Sequence, residues 1–261
     1  MNGQRCYLIT ASSGIGAETA RQLAGGEACF YIVGRNESSC REMVSELETL
    51  GSEASFTAGD LTDSTIAPAA VRKCLEKFGK VDALFNVAGI SGRSLGDGPV
   101  HECTEEGWEI TLQTNATTQY RMAREVVRTM LAREAGENGE RGVILNMSSI
   151  LAIHPDSKHF ATVAYAASKG AIISMSIAMA AFYASQRIRV NVIAPGLVRT
   201  PMSARASSDP EIVNYMHTRQ PLLEDLIPAT DVARTCVHLL TNASRAMTGQ
   251  VIQVDAGWSI A

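Results

Sequence analysis

Short apolar runs alternate with segments of helical periodicity along the whole chain. The runs near 5–10, 28–33, 54–58, 81–85, 142–147, 187–193 and 250–254 have the length of buried strands. Between them, helical spacing predicts helices over 17–23, 37–50, 64–78, 105–133, 165–185 and 229–241. Gly51 and Gly79 stand where the second and third helices should stop. The 105–133 pattern is interrupted around Asn115-Ala-Thr-Thr. An asparagine inside a helix competes for backbone hydrogen bonds, so a kink is expected there. This alternation predicts an α/β fold: a Rossmann-type doubly wound sheet of about seven parallel strands, with helices on both faces.

Four segments fit neither period. Residues 90–104 are glycine-rich and irregular, 134–141 read as a charged surface connection, and 150–163 form a loop. The long, polar segment 197–227 is expected to be a mobile lid over a pocket.

Composition narrows the function classes. At 261 residues, 46% hydrophobic and 19% charged, the chain suits a single domain spanning 1–261. A net charge of −4 argues against nucleic acid or an anionic membrane surface as partner, while leaving small anionic ligands open. There is no signal-peptide layout and no uninterrupted apolar stretch of membrane-spanning length, so a cytoplasmic protein is expected. The six cysteines are scattered, which supports neither a metal site nor disulfides.

The polar and glycine-rich turns fall at the C-terminal ends of the predicted strands, where open parallel sheets bind ligands. After the first strand, Ala11-Ser12-Ser13-Gly14-Ile15-Gly16 leads into a helix. Such a turn can present amides to a phosphate, or serve only as a turn. After the second strand, Gly34 stands where an acid would bind the ribose 2′-hydroxyl of NAD, and Arg35 follows. Arg35 would pair with a 2′-phosphate or be a solvated surface arginine. Asp60 can accept from an adenine amino group, and Asp63 reads as a helix cap. Small residues in Asn86-Val-Ala-Gly89 would let a cofactor lie against the fourth strand end, or form a tight turn.

Ser148-Ser149 ends the fifth strand, and Tyr165 and Lys169 lie one helical turn apart. A free phenol has a pKa of about 10. A fixed positive charge lowers it toward the working pH, which suits proton exchange with a substrate oxygen. The spacing alone also arises by chance. His154, Lys158 and His159 would contact a polar or anionic substrate or form a solvated loop. Met202, Met216 and Trp258 read as packing residues and Tyr183 as core. The small residues of the 165–185 helix, among them Ala167, Ala171, Ser174 and Ala178, suit either a second subunit or the chain's own sheet.

Taken in order, Ala11-Ser-Ser-Gly-Ile-Gly16, Asp60-Leu-Thr-Asp63, Asn86-Val-Ala-Gly89, Asn115, Leu145-Asn-Met-Ser-Ser149, Tyr165-Ala-Ala-Ser-Lys169, Arg189-Val-Asn-Val-Ile-Ala-Pro-Gly196, Thr200-Pro-Met202 and Thr248-Gly-Gln-Val-Ile-Gln-Val-Asp255 resemble the short-chain dehydrogenase/reductase family over nearly the whole chain. The resemblance implies hydride transfer between a nicotinamide and a ketone or secondary alcohol. It implies Tyr165 as general acid or base, Ser149 on the substrate oxygen, Lys169 on the phenol and the nicotinamide ribose, and Asn115 holding a relay water. The cofactor would lie along Thr10, Ser12, Ser13, Gly14, Ile15 and Gly16, then Asp60, Leu61, Asn86, Ala88 and Gly89. Pro195, Gly196, Val198 and Thr200 would flank the nicotinamide. Arg35 resembles the members that prefer NADP(H) over NAD(H). The family also implies a homo-oligomer, a dimer or a tetramer, pairing the 115–133 and 167–185 helices. A dinucleotide-binding sensor or partner subunit without turnover is the alternative reading.

Four departures from the family pattern stand out. Thr10 occupies the usual place of the first glycine, or the turn is one residue short. The Ser149–Tyr165 interval is lengthened in 154–160, Asn115 is followed by Ala-Thr-Thr, and Ala256 replaces a usual glycine.

Overall fold

The structure, a computed structural model, describes residues 4–136 and 139–261. Residues 1–3, and the part of the expected 134–141 connection at 137–138, lie outside the described residues. Seven strands form one parallel sheet in the order β3-β2-β1-β4-β5-β6-β9. They are β1 (Arg5–Ile9), β2 (Ala28–Gly34), β3 (Glu53–Ala58), β4 (Ala83–Asn86), β5 (Gly142–Met147), β6 (Ile188–Pro195) and β9 (Val251–Val254). The chain winds outward from β1 through β2 to β3, then returns to lay β4 on the other side of β1. That reversal opens a crevice beyond the C-terminal ends of β1 and β4.

Side-chain alternation explains the two layers of helices. From β1, Tyr7 and Ile9 pack with Ala17 and Ala20 of α1 (Gly14–Leu23), Met43 and Leu47 of α2 (Glu37–Thr49), and Val232 and Leu239 of α9 (Ala229–Leu240). Cys6 and Leu8 face the opposite layer. There they meet Val71 and Cys74 of α3 (Ile66–Phe78), and Met122, Val126 and Met130 of α5 (Thr118–Leu131). Near-continuous apolar runs are what a sheet covered on both faces requires.

The long helix expected over 105–133 is three pieces. α4 (Glu105–Leu112) passes into a π-helical turn, Gln113–Thr117, and then into α5. The expected kink therefore exists and is centred on Asn115. Gly79 adopts φ 75° at the end of α3, as its stop required. Asp63 does not cap α3 by its side chain; its carboxylate accepts from the amide and hydroxyl of Thr65 in the preceding turn.

α6 (Val163–Tyr183) carries the Tyr165–Lys169 pair. Its inward face is Ala164, Ser168, Lys169, Ile172, Ser176 and Ala180. Residues 163–186 are long and apolar enough, by those measures alone, to cross a membrane, yet the helix lies against β6 and β5 with a lysine on its buried side. Ala167, Ala171, Ser174 and Ala178 face outward, with Ile177 and Phe182 also exposed. The small-residue stripe thus does not pack on the chain's own sheet.

The 197–227 segment has regular structure. β7 (Val198–Arg199) pairs with β8 (Ile227–Pro228), and between them lie α7 (Ala204–Ser207) and α8 (Pro210–Arg219), the latter capped by Asp209. Ala206, Ile212, Met216 and Leu226 join Ile150 and Trp258 in a small core beyond the sheet. Met216 and Trp258 pack as expected, whereas Met202 is exposed.

Candidate active site

A cleft of about 470 Å3 runs across the C-terminal strand ends. It is bounded by the turns after β1 to β6 and by the 197–206 segment. Most of the expected site residues line it: Ser149, Tyr165 and Lys169, and also Thr10, Ser12, Ser13, Gly14, Ile15, Arg35, Asp60, Leu61, Ala88, Gly89, Pro195, Gly196, Val198 and Thr200. Gly16, Asn86 and Asn115 stand behind its wall.

At the chemical end, β5 delivers Ser148 and Ser149, and α6 delivers Tyr165 and Lys169. The Ser149 hydroxyl accepts from the Leu151 amide at 3.2 Å and stands near enough to the Tyr165 phenol to lower its pKa. The Ser148 hydroxyl donates to the carbonyl of Lys169 at 2.8 Å, which ties α6 to the strand end. Sequence reasoning left Ser148 without a role. The Lys169 ammonium is buried, donates to the Met147 carbonyl at 3.1 Å, and lies 5.6 Å from the Tyr165 ring centroid. Burial lowers its pKa to about 8. The phenol moves opposite to the sequence expectation. Burial pushes the Tyr165 pKa up, and the Ser149 hydroxyl pulls it back only in part. Desolvation of the phenolate is the larger cause, and Lys169, whose own cation burial disfavours, does not reverse it.

Asn115 is fully buried at the π turn. Its Oδ1 accepts from the Ile90 amide at 2.7 Å, and its Nδ2 donates to the Ile90 carbonyl and the Ser168 hydroxyl. Its side chain therefore holds the β4 turn against α6. A π turn shifts hydrogen bonds from i+4 to i+5, which interrupts the ordinary ladder at this point. Gly89 fits beside it because nothing larger would: a Cβ there would lie 2.8 Å from Asn115 Oδ1 and 3.4 Å from Lys169 Nζ.

Asp97 was missed altogether. It is a buried carboxylate in the irregular 90–104 segment. One oxygen accepts from the Ala164 amide at 2.9 Å and the other from the Tyr165 amide at 2.8 Å. Thr162, at the N-cap position of α6, makes no side-chain cap, so a distant residue supplies it. Nothing in the local sequence signals this, because the cap lies 67 residues from its helix.

At the nucleotide end, Gly14 opens α1 with φ 58°, a conformation that disfavours side chains. A Cβ on it would occupy the gap to Thr200, at 3.4 Å. This cradle, with the amides of a helix start around it, fits a pyrophosphate. Arg35 is exposed at the cleft edge beside Gly34. Asp60 spends one oxygen on the amide and hydroxyl of Thr62 at 2.8 Å, which orients its carboxylate in the turn.

The side chains of two expected cofactor residues are engaged within the protein. The Thr10 hydroxyl accepts from the Val87 and Ala88 amides at 2.8 and 3.2 Å. The residue at the irregular first turn thus clamps the β1 and β4 turns together. Asn86 is fully buried and donates to Asn146 Oδ1 at 2.8 Å, and Asn146 donates to Ser176 of α6. Asn86 reaches away from the cleft.

The lengthened loop is not a solvated flap. Asp156 accepts from the amides of Lys158 and His159 and from the Tyr215 hydroxyl at 2.7 Å. The His159 ring lies against Tyr215, and the His154 carbonyl accepts from Trp258 Nε1. His154, Lys158 and His159 do not line the cleft; Phe160 does. The extra residues brace α8 and the C-terminal tail.

Known proteins match this chain over nearly its whole length. A family model described as enoyl-(acyl carrier protein) reductase matches residues 9–259. The chain is 32% identical over 257 residues to a 3-oxoacyl-[acyl-carrier-protein] reductase of Chlamydia muridarum, covering 97% of this chain and 96% of that protein. It superposes on a short-chain type dehydrogenase/reductase from Mycobacterium ulcerans with TM-score 0.87 and 29% identity, covering 99% and 91% of the two chains. It superposes equally, at 0.87 and 27% identity, on an actinorhodin polyketide ketoreductase variant solved with NADPH, covering 99% and 98%.

Proposed function

The chain belongs to the short-chain dehydrogenase/reductase family of NAD(P)-dependent oxidoreductases, and from that premise we propose that it reduces a ketone, or oxidises the matching secondary alcohol, with NADP(H) and with Tyr165 as proton donor or acceptor. The carrying observation is the convergence of Ser149, Tyr165 and Lys169 on one end of a cleft whose other end is a glycine cradle with Arg35 at its edge.

When bound, the nicotinamide supplies or accepts the hydride. The chain's own residues do the rest. Ser149, whose hydroxyl lies beside the phenol at the end of β5, holds the substrate oxygen at the point of proton exchange. Tyr165 stays protonated at neutral pH because burial raises its pKa, so it donates to the developing alkoxide during reduction. Lys169, fixed between the Met147 carbonyl and the phenol ring, carries the proton route inward toward the π turn at Asn115. Gly14 and the start of α1 hold the pyrophosphate, Asp60 the adenine, and Arg35 the 2′-phosphate.

The outward small-residue stripe of α6, with Ile177 and Phe182, and the exposed Trp108, Ile110 and Tyr120 on α4 and α5, support a homo-oligomer that covers these faces. A cytoplasmic location fits the buried, unpaired thiols of Cys6, Cys29, Cys40, Cys74 and Cys236.

The test is a carbonyl panel assayed with NADPH and with NADH, alongside Arg35→Ala. The variant should raise the KM for NADPH by about tenfold or more and leave that for NADH nearly unchanged. Equal effects on both cofactors would remove the 2′-phosphate role, and no turnover with either would leave a binding protein.

A further inference from the structure

The cleft holds a pair of like charges that the reaction chemistry does not use. Arg93 comes from the 90–104 segment and Arg205 from α7, and both line the cleft. Both side chains are exposed to solvent at the cleft, and partial burial first, then the charge of Arg205, lower the pKa of Arg93. Neither arginine forms an ion pair among the described residues. The one acid whose charge reaches Arg93 is Asp97, and both of its oxygens are engaged by the Ala164 and Tyr165 amides. Arg93 is held in place by its bond to the His159 carbonyl at 2.7 Å, and that loop is itself braced by Asp156. Two guanidinium groups facing one cleft without a counter-charge form a ready receptor for an anion.

The surroundings say which part of the cleft they serve. Arg205 precedes the buried Ala206, which packs with Ile150 and Trp258 beside the Ser149 strand end. Ile150, Leu151, Phe160 and Met202 give the same cleft an apolar lining. Resting on the oxidoreductase reading, we propose that the substrate is an anionic ketone or alcohol: its carbonyl lies at Ser149 and Tyr165, an apolar stretch crosses the lining, and a carboxylate or phosphate is held between Arg93 and Arg205. The pyrophosphate of the cofactor is the other possible source of the anion, and the experiment separates the two.

The test uses matched pairs: 4-oxopentanoate, 5-oxohexanoate and 6-oxoheptanoate, each against its methyl ester. Wild type, Arg93→Gln and Arg205→Gln are assayed for NADPH-dependent reduction and for binding of acid, ester and NADPH by calorimetry. The expected result is a kcat/KM for at least one acid about tenfold or more above its ester, expressed in KM. In Arg205→Gln that ratio should fall to about one, with NADPH affinity retained. Arg93→Gln should do the same, and because it also loses the His159 tie, a melting curve accompanies it. Equal handling of acids and esters by wild type overturns the anion site while leaving the oxidoreductase reading intact. Loss of NADPH affinity in Arg205→Gln, with the acid-to-ester ratio unchanged, assigns the pair to the cofactor and also overturns it. Tight, arginine-dependent binding of acids without turnover upholds the site and defeats the oxidoreductase reading instead.

Discussion

Removing the Asp97 carboxylate should damage the enzyme out of proportion to its place in a glycine-rich loop. Asp97→Ala leaves the Ala164 and Tyr165 amides without their acceptors at the start of α6. Ala164 is fully buried, so its amide has little access to water. An orphaned buried donor costs roughly 1–3 kcal/mol, and hydrogen bonds to charged groups lie in the upper half of that range. Two such losses amount to about 3–5 kcal/mol, or a melting temperature lower by about 10 °C for a chain of this size. Asp97→Asn keeps one acceptor but turns an amide N–H toward the second donor, and should cost about half as much. The freed first turn carries Tyr165, and a shift of about 1 Å at a reacting group can cost about a hundredfold in rate. Since Asp97 does not line the cleft, the loss should fall on kcat, with the KM for NADPH little changed. Thermal melts by circular dichroism and steady-state kinetics on both variants provide the check. A melting temperature within about 2 °C of wild type, with kcat intact, would refute the capping role.

Two further outcomes follow from the same geometry. Placing an acid at Gly34 to recruit NAD(H) should fail on packing, because a Cβ there lies 2.8 Å from Cys40 Sγ and 3.2 Å from Ser12 Oγ. Gly34→Asp should lose about 1–3 kcal/mol in denaturant titration, and Cys40→Ala in the same chain should recover part of it; a fully stable single variant would contradict the contact. The raised phenol also fixes the sign of the pH profiles. Reduction needs the protonated phenol and should be flat from pH 6 to 7, below the Lys169 transition at about 8. Oxidation needs the phenolate, so its kcat/KM should climb about tenfold per pH unit over that window. A flat oxidation profile would show that another group takes the proton.

The sheet was legible because its central strands β1, β2 and β4 are nearly continuous apolar runs, and the kink was legible because Asn115 breaks a helical pattern. Asn86 was assigned to the cofactor side by resemblance, and a motif match says nothing of which way a side chain leaves the strand end. The β4–β5 register places it opposite Asn146, and the two amides pair across it. Asp97 and Arg93 were illegible because each acts on a segment remote in sequence, and the bond of Asp156 to Tyr215 was illegible for the same reason. The direction of the Tyr165 shift was read from charge alone, whereas burial decides it. Ala256, standing in place of a glycine, takes φ 50°, so the backbone kept the conformation the turn requires.

The central claim is that Tyr165 moves the proton. Tyr165→Phe removes the hydroxyl and keeps the ring that lies over Lys169. Loss of carbonyl reduction by about a thousandfold or more is expected, with NADPH affinity and melting temperature close to wild type. Activity within a few fold of wild type would contradict it.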